Sequence, residues 1–123
     1  TQTPTPANLR VGRFIEYRIT YTNISIAPVG AGNVTLSAGN VIITEDGTIG
    51  TNTWARDNDT NGVIDTSNVV GSTTAQFGTI AYAPSGDQSG TTQPTDVTRY
   101  TNTLGIAVQP GASGTFIFRR RIN

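Results

Sequence analysis

Residues 57–68 read Asp-Asn-Asp-Thr-Asn-Gly-Val-Ile-Asp-Thr-Ser-Asn. Side-chain oxygens recur at the first, third, fifth and ninth places of this stretch, on Asp57, Asp59, Asn61 and Asp65. Gly62 stands sixth, where a loop wrapping one point must turn sharply, and Val63, seventh, would contribute its backbone carbonyl. A hard dication asks for six to eight oxygens at about 2.3–2.6 Å, and this spacing can direct them at a common centre. The expected chemistry is therefore calcium binding by Asp57, Asp59, Asn61, Val63, Asp65 and, at the twelfth place, Asn68. That last position departs from helix-flanked calcium loops, which carry a bidentate Glu there, whereas Asn68 supplies one oxygen at most. Either the affinity is low or another acid completes the shell, with Asp46, Glu45 and Asp87 the nearest candidates. Asn61-Gly62 is also a strong turn signal, so a solvated Asx-rich turn is the alternative. Three carboxylates in register are more than such a turn requires.

Other reactive chemistry is sparse. The chain has no His, no Cys and no Lys, all eight basic residues being Arg. Dyads and triads built on thiol or imidazole are excluded, as are Ser-Lys catalysis and a Lys–Asn isopeptide crosslink. The carboxylate pair Asp57 and Asp59 is already accounted for by a metal, so a non-catalytic protein is expected. Arg119-Arg120-Arg121 could form a patch for phosphate or an acidic polymer, but strand alternation splits it. Arg119 and Arg121 share one face, while Arg120 points with Phe118 and Ile122. The first two then read as surface charges opposite Glu16 or another acid across a sheet. Net charge is zero, and a nucleic-acid partner would call for a basic excess. Trp54, Tyr82 and Tyr100 could line a sugar-binding face. A lone Trp without a second aromatic at matching strand spacing is instead expected to pack in or beside the core.

The scaffold that must position the loop is legible from composition. At 123 residues the chain suits one domain with a modest core. Its hydrophobic fraction of 35% and charged fraction of 13% are both low, and the polarity comes from Thr, Asn, Ser, Gln and Gly. Such a chain has too few charges for a solvated disordered segment and too few Leu and Ala for a helical bundle. Thr and Gly with scattered Val, Ile, Phe and Tyr favour strands joined by turns. An all-β fold is expected.

Residues 14–23 give the clearest strand, with Ile15, Tyr17, Ile19 and Tyr21 on one face and Glu16, Arg18, Thr20 and Thr22 on the other. Short strands are expected at 33–36 and 40–45, the second closed by Glu45-Asp46-Gly47. Another is expected over 75–82, interrupted by Gly78. The stretch 96–108 alternates, with Tyr100, Leu104, Ile106 and Val108 on one side and Gly105 as a bulge. The last strand, 114–122, sends Phe116, Phe118 and Ile122 one way and Arg119 and Arg121 the other. Residues 84–94 form a polar loop rich in Gly, Ser and Thr. Seven or so short strands between turn clusters predict an immunoglobulin-like antiparallel β-sandwich. Thr-Gln-Thr-Pro-Thr-Pro opens the chain as an extended linker, giving an N-terminal arm over 1–10 and a single sandwich domain over 11–123.

Two stretches, Phe-Ile-Glu-Tyr-Arg-Ile-Thr-Tyr-Thr-Asn (14–23) and Val-Gln-Pro-Gly-Ala-Ser-Gly-Thr-Phe-Ile-Phe-Arg-Arg-Arg-Ile (108–122), carry a family resemblance. They resemble the first and last strands of an immunoglobulin-like repeat of uncharacterised function found in bacterial secreted and cell-wall proteins. Tyr17, Ile19, Tyr21 and Asn23 match its opening pattern, and Pro110, Gly111, Ser113, Gly114 and Thr115 its closing one. Glu45-Asp46 falls where that family carries an Asp-rich turn. The resemblance implies a sandwich fold and an exported setting, and no catalytic residues. With the loop, it leads to the expectation of a calcium-stabilised structural or spacer module at a bacterial surface. Its partners would be neighbouring domains or copies of the same protein, without membrane insertion. Two alternatives stand beside it: a fibre or surface-layer subunit assembled by strand pairing, and a carbohydrate-binding module contacting a surface glycan.

Overall fold

The computed structural model of the chain describes residues 10–26, 32, 34–84 and 96–123. The arm over residues 1–9, Asn33, Asp87 and most of the polar loop at 84–94 lie outside them. Among the described residues seven strands occur, β1 (Phe14–Thr22), β2 (Ile42–Asp46), β3 (Thr66–Asn68), β4 (Thr74–Ala75), β5 (Thr79–Ala83), β6 (Arg99–Thr103) and β7 (Ser113–Ile122). They build two antiparallel sheets. In one, β7 is central, with β1 on one side and β3 and β4 on the other; the second runs β2-β6-β5. The all-β expectation and the strand count hold.

The strands at the two ends of the chain pair over their whole length, from Phe14 opposite Arg121 to Thr22 opposite Ser113. Period-2 alternation turns Ile15, Tyr17, Ile19 and Tyr21 inward, half-buried, beside fully buried Phe116 and Phe118 of β7. Tyr100 of β6 faces them from the other sheet. Its ring stacks on Phe118 at 4.2 Å between centroids, and Phe118 also stacks on Tyr17 at 4.9 Å. Trp54 enters this core from the connection after β2 and touches Phe118, Tyr100 and Tyr17. Its indole lies flat against Gly47, where an added Cβ would come within 2.3 Å of the ring. Gly47 donates its N–H to Thr98 and accepts from Ala55, so the turn after β2 and the Trp54 segment lock together.

Several sequence expectations shift in detail. No strand forms at 34–36, the described part of the expected 33–36 stretch; two residues on, Ala38 makes an isolated bridge to Val108. The alternation expected through 108 stops at Thr103. Gly105 takes φ +68°, the phase slips, and Ile106 is 50% exposed instead of facing inward with Leu104 and Val108. The strand over 75–82 divides into β4 and β5 at Gly78, whose φ is +79°. An added Cβ there would lie 1.9 Å from the Thr103 carbonyl oxygen, so the chain crosses β6 at a distance only glycine allows. Buried Asn102 bridges the break, donating its Nδ2 to the carbonyls of Phe77 and Thr79 at 2.9 and 3.1 Å.

Candidate metal centre

The acidic loop leaves the core at Trp54-Ala55 and returns to it at Thr66, the first residue of β3. Its base is closed by the Asp65 N–H donating to the Arg56 carbonyl at 2.8 Å. Between these points the backbone folds back on itself, with Thr60 and Gly62 at φ +62° and +86°. Asp57 drives the turn. One of its carboxylate oxygens accepts from the Asn61 N–H at 3.0 Å and the other from the Gly62 N–H at 2.7 Å. Asn61 in turn accepts the Val63 N–H at 2.8 Å, and Asp65 accepts both the backbone and the side-chain N–H of Asn58. Asx residues tolerate αL backbone and cap local N–H groups, so this sequence can hold the loop by itself.

The wrap brings Asp57, Asp59 and Asp65 together. Each offers one carboxylate oxygen, and these oxygens lie within 4.8 Å of one another. Asn61, Val63 and Asp65 line a hollow of ≈ 250 Å³ beside Asp59, bounded on the far side by Ile122 and Asn123. Partial desolvation pushes the Asp57 carboxyl up, but N–H donation from Gly62 and Asn61 outweighs it, leaving Asp57 below the usual carboxylate range. An oxygen-only donor set of this kind suits a hard cation, calcium or magnesium, and offers nothing to a soft one. The residues fit such an ion. Each carboxylate oxygen has two lone pairs, so accepting one N–H leaves capacity for a cation. The Asn61 amide already stands 2.9 Å from Asp59, its Nδ2 donating to Oδ2.

Five of the six residues expected from the sequence therefore stand in one loop. Asn68 does not. It lies in β3, 2% exposed, where its Oδ1 accepts the Tyr100 hydroxyl at 2.6 Å and its N–H donates to Asp96. The Thr-Ser-Asn strand turns the chain inward after Asp65, carrying the twelfth position away from the loop. Glu45 and Asp46 are also engaged elsewhere. Glu45 accepts from Asn52, and burial raises its carboxyl above the usual range. Asp46 accepts from the hydroxyl and N–H of Thr48, which holds it low. Asp87 is outside the described residues.

A buried polar cluster went unexpected. Arg120 and Asp96 are both fully buried, 3.4 Å apart. Arg120 spreads its guanidinium over the Thr66 hydroxyl and carbonyl, the Val97 carbonyl and the Tyr100 hydroxyl, and lies 4.5 Å from the centre of the Trp54 ring. Strand alternation did place Arg120 on the inward face, and a charge there demands a buried acid. What the sequence withheld was which acid. This cluster grips both ends of the acidic loop, through Trp54 before it and Thr66 after it. Asn123 adds a second clasp, donating its N–H to the Asp65 carbonyl and its Nδ2 to the Ile64 carbonyl.

Arg119 meets Glu16 across the β1–β7 pair, Nε and Nη2 donating to one carboxylate oxygen at 3.0 and 2.9 Å, as alternation implied. Trp54 and Tyr100 are buried and present no stacking face to a sugar. Among the described residues no helix is long and apolar enough to cross a membrane. Comparisons with protein-family models, with curated proteins and with solved structures return no match to this chain.

Proposed function

We propose that the loop from Asp57 to Asp65 takes up calcium and that the chain serves as a calcium-stabilised, non-catalytic structural module of a bacterial surface or secreted protein. The observation that carries this is the convergence of Asp57, Asp59 and Asp65 on one point, in a loop whose two ends are fixed in the core. Three carboxylates so close repel one another, and a dication removes that repulsion while ordering the exposed tip. The role is that of a staple. With Asn68 turned inward, no bidentate ligand stands at the twelfth place, and water fills the remaining coordination positions. Such a shell suits the weak regime of extracellular modules, Kd about 10⁻⁴–10⁻³ M. The resemblance of 14–23 and 108–122 to bacterial surface repeats supports the same setting.

Isothermal titration with CaCl₂ tests the site. The expected outcome is one bound ion per chain with a Kd in that range, lost in Asp57→Asn/Asp59→Asn while the fold, followed by far-UV circular dichroism, persists. A chain that takes up no calcium at millimolar concentrations sinks the proposal.

A further inference from the structure

Among the described residues, strand β1 is an edge that nothing in its own sheet covers. Among those residues it pairs with β7 alone; its nine residues run without Pro, Gly or a break in register, and its two charges, Glu16 and Arg18, are of opposite sign and can complement a second copy instead of repelling it. A proline or a break in register is a usual device that keeps a sheet edge from pairing with another chain. The direction of its free backbone groups follows from its ends. Asn23 donates its N–H to Ala112 and Arg13 accepts the N–H of Ile122, so odd-numbered residues turn their backbone groups toward β7. Phe14, Glu16, Arg18, Thr20 and Thr22 turn theirs outward. The inward side chains Ile15, Tyr17 and Ile19 are only half-buried, whereas Phe116 and Phe118 behind them are fully buried. The apolar layer is thus incomplete along the edge.

We infer that β1 is a self-recognition edge that pairs antiparallel with β1 of a second copy about a two-fold axis at Tyr17. Two outward-facing residues must oppose each other for the backbone bonds to form, which leaves few registers. With Arg18 opposite Arg18, or Glu16 opposite Glu16, like charges meet directly, and that is destabilising. With the axis at Tyr17, Glu16 of each copy opposes Arg18 of the other, and Phe14 opposes Thr20. On the inner face Ile15 then meets Ile19, and Tyr17 meets its own copy, extending the apolar layer across the axis. Glu16 and Arg18 already attract one another within the chain at 2.9 Å, with the Arg18 side chain 57% exposed, so exchange across the axis keeps every charge paired. The result is one continuous sheet, and an isologous contact closes at two copies. This pairing does not depend on the acidic loop, and it holds with or without calcium.

Sedimentation velocity on the whole chain, in EGTA and in calcium, tests it. The wild type is expected to dimerise reversibly with rising concentration. Glu16→Arg alone and Arg18→Glu alone each set like charges opposite and are expected to be monomers, while their equimolar mixture restores complementarity and dimerises. Thr20→Pro removes an outward N–H without touching the bonds to β7 and is expected to abolish the dimer. Wild type that stays monomeric throughout overturns the inference. So do a dimer that survives these substitutions, single variants whose mixture stays monomeric, and assembly beyond two copies.

Discussion

Arg120 shows how a full charge can sit at zero exposure in a chain this poor in apolar residues. Its five donors meet two backbone carbonyls, two hydroxyls and the Asp96 carboxylate, and its flat face lies on Trp54. Removing one partner of a buried pair leaves the other uncompensated, a loss of about 3–5 kcal/mol. Arg120→Met and Asp96→Ala are each expected to destabilise by that order in urea unfolding, and Arg120→Lys recovers little because an ammonium cannot span the same acceptors. At the surface the sign of a pH effect follows from Glu16. Hydrogen bonds from Arg119 and then Arg18 hold its carboxyl below the usual range. The folded value thus lies below the unfolded one. Stability from Glu16 is therefore present at neutral pH and fades as pH falls through the carboxylate range toward the folded value. Glu16→Gln is expected to flatten this part of an acid-unfolding curve recorded without calcium. The sequence made Arg119 legible because its partner lies on the facing strand of a strongly alternating pair. Asp96 was not legible, since no local pattern ties it to Arg120, 24 residues away.

At the scale of elements, β1 and β7 were readable because each alternates for nine residues or more with one wet face. Strand β3 was not. Thr-Ser-Asn has no apolar residue, and it is buried because its polar groups meet Arg120, Asp96, Tyr100 and Asn123. The loop's first seven places were legible for the opposite reason: local Asx bonds hold them, whereas the eighth and ninth are also clasped by Asn123 and the twelfth depends on where β3 goes. Glycines mark the remaining difference between pattern and fold. Gly78 is constrained both by positive φ and by the approach of Thr103, so Gly78→Ala is expected to cost at least about 2 kcal/mol. Gly62 has the same backbone sign and no neighbour within 4 Å of an added Cβ. Gly62→Ala is expected to cost only backbone strain, about 1 kcal/mol, and thermal melts of the two variants without calcium compare them directly.

For the whole molecule, the two sheets enclose an aromatic core threaded by Trp54, and the acidic loop is the continuation of that same segment. The core fixes the loop's ends, and an ion would fix its tip, so ion binding and folding would be one equilibrium. A cation bound only by the folded state adds about 1.4–2.7 kcal/mol at roughly 10–100 times its Kd, a large share of the margin of a small domain. The most direct measurement is the melting temperature of the wild-type chain across a calcium titration, with EGTA and with Asp57→Asn/Asp59→Asn as controls. Calcium is expected to raise it by roughly 5–10 °C, a shift that EGTA reverses and the double variant lacks. A melting temperature that stays flat through millimolar calcium, or rises equally in the double variant, would contradict stabilisation by calcium at this loop.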